Sequence, residues 1–252
     1  MKFLRYSILV VLIVIMAISV LACEDNSEQS VQKITFATNG GEEVEDFHGE
    51  VIHDFPNIER EGYYLEGWYE TEDFSSSQVS FPYEVMENTE LFARWFTAEE
   101  GSPYITYSLD EEKDEYIVTG YTGKSRLVVI PELYQEKPVS AVADGAFNIC
   151  DTVNRIIISA SVENIGRAFY RTSMLYEFEV NSNSENFSAE DGILYDYDKT
   201  TLISYPPAKE GSSFTIPESV STLANSAFRF CRFLNDVTIT NNIEDMDERY
   251  FD

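Results

Sequence analysis

Apolar and polar residues alternate through Lys33-Ile34-Thr35-Phe36-Ala37-Thr38, the period of a strand with one face buried. Asn39-Gly40-Gly41 follows, and Asn and Gly both tolerate the positive φ of a tight turn. Val51, Ile52 and Phe55 precede Pro56, and Gly62-Tyr63-Tyr64-Leu65-Glu66-Gly67-Trp68-Tyr69 then predicts a longer strand. Phe81-Pro82-Tyr83 and Leu91-Phe92-Ala93-Arg94-Trp95 close this first unit, with Glu87-Asn88-Thr89 as the turn between them. Trp68 and Trp95 are the only tryptophans; each falls in a strand-like segment where an indole covers a thin sheet, so both are assigned to the core.

After residue 103 the chain repeats itself. Val142-Ala143-Asp144-Gly145-Ala146-Phe147-Asn148-Ile149-Cys150 aligns with Ile165-Gly166-Arg167-Ala168-Phe169-Tyr170-Arg171-Thr172, and again with Leu223-Ala224-Asn225-Ser226-Ala227-Phe228-Arg229-Phe230-Cys231. A short β-branched run precedes each copy: Val128-Val129-Ile130-Pro131, Ile156-Ile157-Ile158-Ser159 and Phe214-Thr215-Ile216-Pro217. A coil of this length cannot enclose its own apolar face, so its neighbours must supply the other half. Phe147, Phe169 and Phe228 are therefore expected to form one internal aromatic row. Cys150 and Cys231 hold the same place in their copies and read as reduced, buried thiols; the alternative is a disulfide between them in an oxidising compartment, which separate coils should oppose by holding them more than about 7 Å apart. Val237-Thr238-Ile239 and Ile243 begin another coil, in which Phe251 is phased with the row; Glu244 to Asp252 makes either an acidic cap or the beginning of an interrupted repeat.

These motifs resemble two bacterial families. The Asn-Gly-Gly turn, the Gly-Tyr and Gly-Trp-Tyr segment and the closing Asn-Thr, Leu-Phe-Ala-Arg-Trp strand are similar to the Listeria–Bacteroides repeat, also called the internalin B-repeat. That resemblance implies a small ubiquitin-like β-grasp used as a spacer or binding unit in extracellular proteins. The Ile-Pro run, the Ala-Phe pair and the following Cys resemble the BspA-type leucine-rich repeat. The stretch Asp191 to Ala208 resembles that family's longer interrupting coil, and Tyr116 to Gly123 its capping coil. Ser159 stands where Pro is usual and Thr172 where Cys is usual. The expected fold is thus mainly β: a β-grasp module over 31–97, a linker over 98–102, and a leucine-rich-repeat solenoid over 103–252.

The first 22 residues carry Lys2 and Arg5 ahead of an apolar run from Ile8 to Ala22, shorter than the roughly 20 residues of a spanning helix. Val20-Leu21-Ala22-Cys23 followed by Glu24-Asp25-Asn26 resembles the lipobox of bacterial lipoproteins, which implies cleavage before Cys23 and lipid on its thiol. The alternatives are an uncleaved anchor or an ordinary signal peptide. Two or three acyl chains, at about 0.8 kcal/mol per buried methylene, anchor a protein stably. Residues 23–30 read as an acidic tether.

Composition narrows the function. The chain has 252 residues, with 45 Asp and Glu against 17 Lys and Arg, a net charge of −28. Loss of residues 1–22 leaves 15 cations and the same 45 acids, a net charge of −30. Such a balance excludes nucleic acid, which needs clustered cations to release counterions. His48 and His53, the only histidines, are read as solvated rather than metal ligands. Acid clusters such as Asp110-Glu111-Glu112, Asp196 with Asp198, and Glu244-Asp245 lack the spacing of a calcium loop. No nucleophile elbow, zinc-binding helix motif or phosphate-cradling loop occurs, so no cofactor and no catalytic residue is assigned. The expected function is a monomeric, lipid-anchored binding or adhesion protein on the outer side of the bacterial membrane, facing a protein or glycan. The alternative is a surface carbohydrate-processing or metal-dependent enzyme. Replacing Cys23→Ser is expected to abolish metabolic labelling by a palmitate analogue; undiminished labelling would rule Cys23 out as the lipid site.

Overall fold

The computed structural model describes residues 31–240 apart from 55 and 170, together with Ile243. The expectations for the leader, for Cys23 and for Glu244 to Asp252 lie outside the described residues. Every regular element among the described residues is a strand, and none of them forms a helix long and apolar enough to cross a membrane.

The first module is a mixed four-stranded sheet. Lys33–Ala37 and Thr89–Phe96 run parallel at its centre, with Ile34 opposite Thr89 and Ala37 opposite Phe92. Phe47–His48 and Tyr64–Tyr69 flank them antiparallel. Ile34, Trp68, Leu91 and Ala93 are buried together with Ile52 and Val85, which come from a small antiparallel pair of Val51–Ile52 with Tyr83–Glu84 and the residue after it. The Asn-Gly-Gly turn has a mechanical reason. Asn39 and Gly40 take positive φ (49° and 90°), and a Cβ on Gly41 would run into the Trp95 ring. The indole fills that space and donates its N–H to the Thr38 carbonyl at 2.8 Å, while the Asn39 amide donates to Ala93 O at 2.8 Å. Trp68 donates to Pro56 O at 3.3 Å and meets Phe36 edge-on at 5.0 Å, so both indoles bury their bodies without orphaning the N–H.

The second module winds two parallel ladders. One joins Leu127–Val129, Arg155–Ile158 and Glu177–Val180; the other joins Glu115–Tyr121, Lys137–Val142 and Asn164–Ile165. The hairpin Ile105–Asp110 with Glu115–Tyr121 covers the outer edge of the second ladder. After Val180 the winding is interrupted by Phe187–Glu190 and Ile193–Asp196, an antiparallel pair, before Thr201–Ser204 pairs parallel with Thr222–Leu223 and Ser213–Thr215 with Asp236–Thr238. Ile193–Asp196 is a wall shared by two cores. Leu194 belongs to the cluster of the preceding coils, while Ile193 and Tyr195 belong to the cluster of the following ones, as the period of two along a strand requires.

Phe147, Phe169 and Phe228 are buried, at 0%, 9% and 3% exposure. Phe147 and Phe169 stack at 5.8 Å with 15° between planes, and Phe169 meets Phe178 edge-on at 4.7 Å. The expected single row is split: Phe147 and Phe169 belong to the core before the Ile193–Asp196 wall and Phe228 to the core after it, because the interrupting pair inserts its own coil between them. Each part is extended by a tyrosine at a position not singled out in the sequence. Tyr121 lies 6.3 Å from Phe147, and Tyr205 5.7 Å from Phe228. The signal they share with the phenylalanines is a small residue immediately before the aromatic: Gly120, Ala146, Ala168, Ser204 and Ala227.

The two modules are fastened at a β-bulge. Leu65 pairs with Trp95 and Gly67 with Arg94, which leaves Glu66 as the extra residue. Its carboxylate is buried, accepting from the Tyr69 hydroxyl and lying 3.1 Å from Arg94 Nε. Burial pushes this carboxyl above the ordinary glutamate range, against the pull of the Tyr69 hydrogen bond and the Arg94 charge. The Glu66 carbonyl accepts from Ser125 Oγ of the second module at 2.7 Å. Lys124 donates to Ser80 at 2.9 Å, and Arg126 pairs with Asp54 at 2.5 Å. Within the connecting segment 98–102, Ser102 exchanges bonds of 2.9 and 2.8 Å with Val129, extending the first ladder's edge.

Phe169→Ala removes a ring enclosed by two others and is expected to destabilise the protein by roughly 3–5 kcal/mol in chemical denaturation. A loss under about 1 kcal/mol would contradict this packing.

Candidate functional site

Each aromatic opens a tight turn whose last residue donates back to it. The backbone N–H groups of Cys150, Thr172 and Cys231 donate to the carbonyls of Phe147, Phe169 and Phe228, each at 3.4 Å. Cys150 Sγ then donates to Tyr121 O at 3.8 Å and Cys231 Sγ to Tyr205 O at 3.7 Å, the same bond to the preceding coil's aromatic. Thr172, which replaces Cys in the middle copy, instead turns its hydroxyl to Phe169 O at 2.5 Å. Cys150 is buried, Cys231 half-buried, and both are free thiols. Burial pushes Cys150 up to about 11 and Cys231 up to about 12. At neutral pH both are therefore protonated thiols, held inside their turns.

The third residue of each turn is left-handed: Ile149 at φ 63°, Arg171 at 61° and Phe230 at 60°. Glycine or asparagine suits that conformation, whereas a branched or bulky residue there costs about 1–2 kcal/mol. The backbone throws these three side chains outward, with Ile149 68% and Phe230 42% exposed. Ile149 and Arg171 stand on adjacent coils, and the coil of Tyr205 separates them from Phe230. The Phe+2 position was not singled out as functional in the sequence; its signal is the lack of Gly or Asn where the turn prefers one.

Two hollows open nearby: all three side chains line the larger, and Phe230 lines both. The larger, of 1030 Å³, is lined by Ile149, Arg171 and Arg232 over a floor that includes Leu234 and Val237. The Arg232 guanidinium lies 5.4 Å from the Phe233 ring centre and 3.6 Å from Met174 Sδ. The smaller, of 540 Å³, gathers Asp144, Asn148, Arg167, Asn225 and Arg229 from the loops around the Ala-Phe pairs, with Ser204 and Ser226. Asp144 accepts from the Arg167 backbone N–H at 2.8 Å and from its guanidinium at 3.0 Å, which together hold the carboxyl below the usual aspartate range. This bridge requires Gly166, because a Cβ there would collide with Asp144. Both partners are well exposed, so the bridge orients Arg167 more than it stabilises the fold.

Among the described residues no group of three or more His, Cys, Asp and Glu is arranged to hold a metal ion. His48 and His53 are both exposed and remote in sequence from this surface.

Residues 33–94 match the Listeria-Bacteroides repeat domain, and residues 129–200 and 208–252 match the BspA type leucine rich repeat region in six copies. No curated protein matches the chain. Among solved structures, a leucine-rich repeat protein from Eubacterium ventriosum is 36% identical over 43% of this chain and 28% of its own, with a TM-score of 0.39. The pneumococcal vaccine antigen PcpA is 22% identical over 43% of this chain and 30% of its own, with a TM-score of 0.33. A leucine-rich repeat protein of T. pallidum is 21% identical over 54% of this chain and 79% of its own, with a TM-score of 0.37. The chain therefore spans less than a third of the length of the first two.

Alkylation at pH 8 is expected to run about two orders of magnitude slower for Cys150, and about three for Cys231, in the native protein than in urea, where a thiol returns to about 8.5. Equal rates in the two states would contradict the assignment of both thiols to the turn interior.

Proposed function

We propose that the chain is a surface binding protein, held at the outer side of a bacterial membrane by lipid on Cys23. The first module serves as a rigid spacer and the repeats present the recognition face to a protein or glycan partner. A β-grasp identity for the spacer is supported by its sheet order, with first and last strands parallel at the centre. The two matched repeat families support the surface setting. A monomer without cofactor suffices for this role.

One observation carries the recognition reading: Ile149, Arg171 and Phe230, held outward by left-handed backbone, together line one surface hollow. Strained conformations persist where function uses them, and exposed aromatic and Arg side chains are the groups that anchor interfaces. An enzymatic reading fits this surface less well. A glycoside hydrolase needs a carboxyl kept protonated as general acid, whereas Asp144 is held ionised by Arg167. Glu66, the carboxyl raised by burial, lies at the module junction instead.

The test is capture from host and bacterial surface extracts. A chain lacking residues 103–252 is expected to lose capture, and one lacking 31–97 to keep it. The reverse result would move recognition to the first module, and no capture by the intact chain would overturn the binding role.

A further inference from the structure

We infer that Glu66 makes the junction between the two modules responsive to pH, the junction closing more firmly when its carboxyl takes up a proton. The inference goes beyond the surface-binding reading and does not depend on what the repeats bind. It stands first on where the carboxyl sits. Among the described residues Glu66 is the only buried acid, in a chain that carries 45 Asp and Glu. Its side chain has no exposed surface, and it is the extra residue of the bulge.

One carboxylate oxygen is well served and the other is not. Oε1 accepts from the Tyr69 hydroxyl, whereas Oε2, 3.1 Å from Arg94 Nε, is aligned with no hydrogen bond. An ionised carboxylate accepts about four hydrogen bonds, and a buried charge short of them is costly. A proton on Oε2 cancels that charge and leaves the Tyr69 bond at Oε1 in place. Arg94, with 34% of its side chain exposed, then keeps water and the Tyr69 and Phe74 rings, 5.8 and 5.5 Å away. The titratable groups around Glu66 are Tyr69 on its own strand, Arg94 on Thr89–Phe96, Tyr104 after the connecting segment and Tyr121 of the second module. Burial pushes Tyr69 above the ordinary phenol range and Tyr121 up to about 12, so both stay neutral while Glu66 titrates. Lys124 and Arg126 are directed to Ser80 and Asp54 instead.

The same residue holds the second module. Its carbonyl accepts from Ser125 Oγ at 2.7 Å and from Gln78 Nε2 at 2.8 Å, and the Ser125 N–H donates to the Tyr121 hydroxyl at 3.1 Å. Carboxyl and carbonyl belong to one bulge residue, so whatever draws the side chain toward water also pulls on the Ser125 bond. The exposed Arg126–Asp54 pair adds little to the fastening. Burial raises Glu66 above its ordinary 4.5, against the lowering by Tyr69 and Arg94. The closed junction therefore binds the proton more tightly than an open one, in which the carboxyl reaches water. The stabilisation is complete below 4.5 and is lost as pH rises through the raised value. Mild acid tightens the junction, and rising pH loosens it.

The test compares the full chain with Glu66→Gln in detergent micelles, from pH 4.5 to about 8, by amide exchange at Ser125 and by urea unfolding. The ratio of wild type to variant at each pH cancels intrinsic exchange and the titration of the other acids. Opening at the Ser125 amide is expected to rise in wild type relative to the variant, by up to about tenfold per pH unit, before levelling off. The wild-type urea midpoint should fall relative to the variant's over the same interval. A ratio that stays flat or declines as pH rises would overturn the inference. So would a shift in the urea midpoint with Ser125 exchange unchanged, which would confine the proton's effect to the first module. If the variant does not fold, the carboxyl carbon NMR shift of Glu66 is titrated in the wild-type chain. A midpoint above 4.5 is expected there, and one at or below 4.5 would overturn the inference.

Discussion

A coil in this protein cannot complete its own turn. The Phe147 N–H donates to the Ala168 carbonyl of the next coil at 2.9 Å, the Gly145 N–H to Arg167 O at 3.0 Å, and the Tyr205 N–H to Ala227 O at 2.7 Å. The aromatic that opens each turn is covered by its counterpart one coil away. Polar satisfaction and apolar burial are thus supplied by the same neighbour, and a buried amide left without that carbonyl would cost about 1–3 kcal/mol. The small residue before each aromatic follows from this geometry. Ala146, Ala168 and Ala227 are all buried where the turns abut, and Gly120 leaves room for Thr106 in the first coil.

The same closure shapes the outer surface. To bring Cys150, Thr172 and Cys231 back beneath the aromatic, the residue before each must turn left-handed, and its side chain then has nowhere to go but outward. Ile149, Arg171 and Phe230 are displayed because the interior requires that turn, yet their identities are not what the turn prefers. Packing dictates the position and leaves the side chain open to selection for recognition. The junction with the first module combines a short reach, from Ser125 to the Glu66 carbonyl, with longer ones from Lys124 to Ser80 and from Arg126 to Asp54.

Periodicity made the mainly β architecture and the repeats legible in the sequence. The alternation at 33–38 corresponds to the strand Lys33–Ala37, and the runs before the Ala-Phe pairs correspond to Leu127–Val129, Arg155–Ile158 and Ser213–Thr215. Features set by more than one coil were not legible. Tyr121 and Tyr205 lack the preceding alanine, so a search for Ala-Phe passes over them, although Gly120 and Ser204 meet the same steric demand. Ile193–Asp196 reads as one apolar run because its two faces serve two cores, which local pattern cannot separate. Glu66 looks like a solvated acid in its strand; only the bulge, with Tyr69 of the same strand and Arg94 of its neighbour as partners, turns it inward. The hollows unite loops some 80 residues apart, from Asp144 to Asn225, and no local spacing announces them.

Amide hydrogen exchange at the coil-to-coil bonds tests the stacking most directly. If each turn is closed by its neighbour, the Phe147 and Tyr205 amides should exchange only through opening that approaches global unfolding, and far more slowly than the exposed turn amide of Ile149. Exchange of Phe147 and Tyr205 at the rate of Ile149 would mean that the coils do not complete one another.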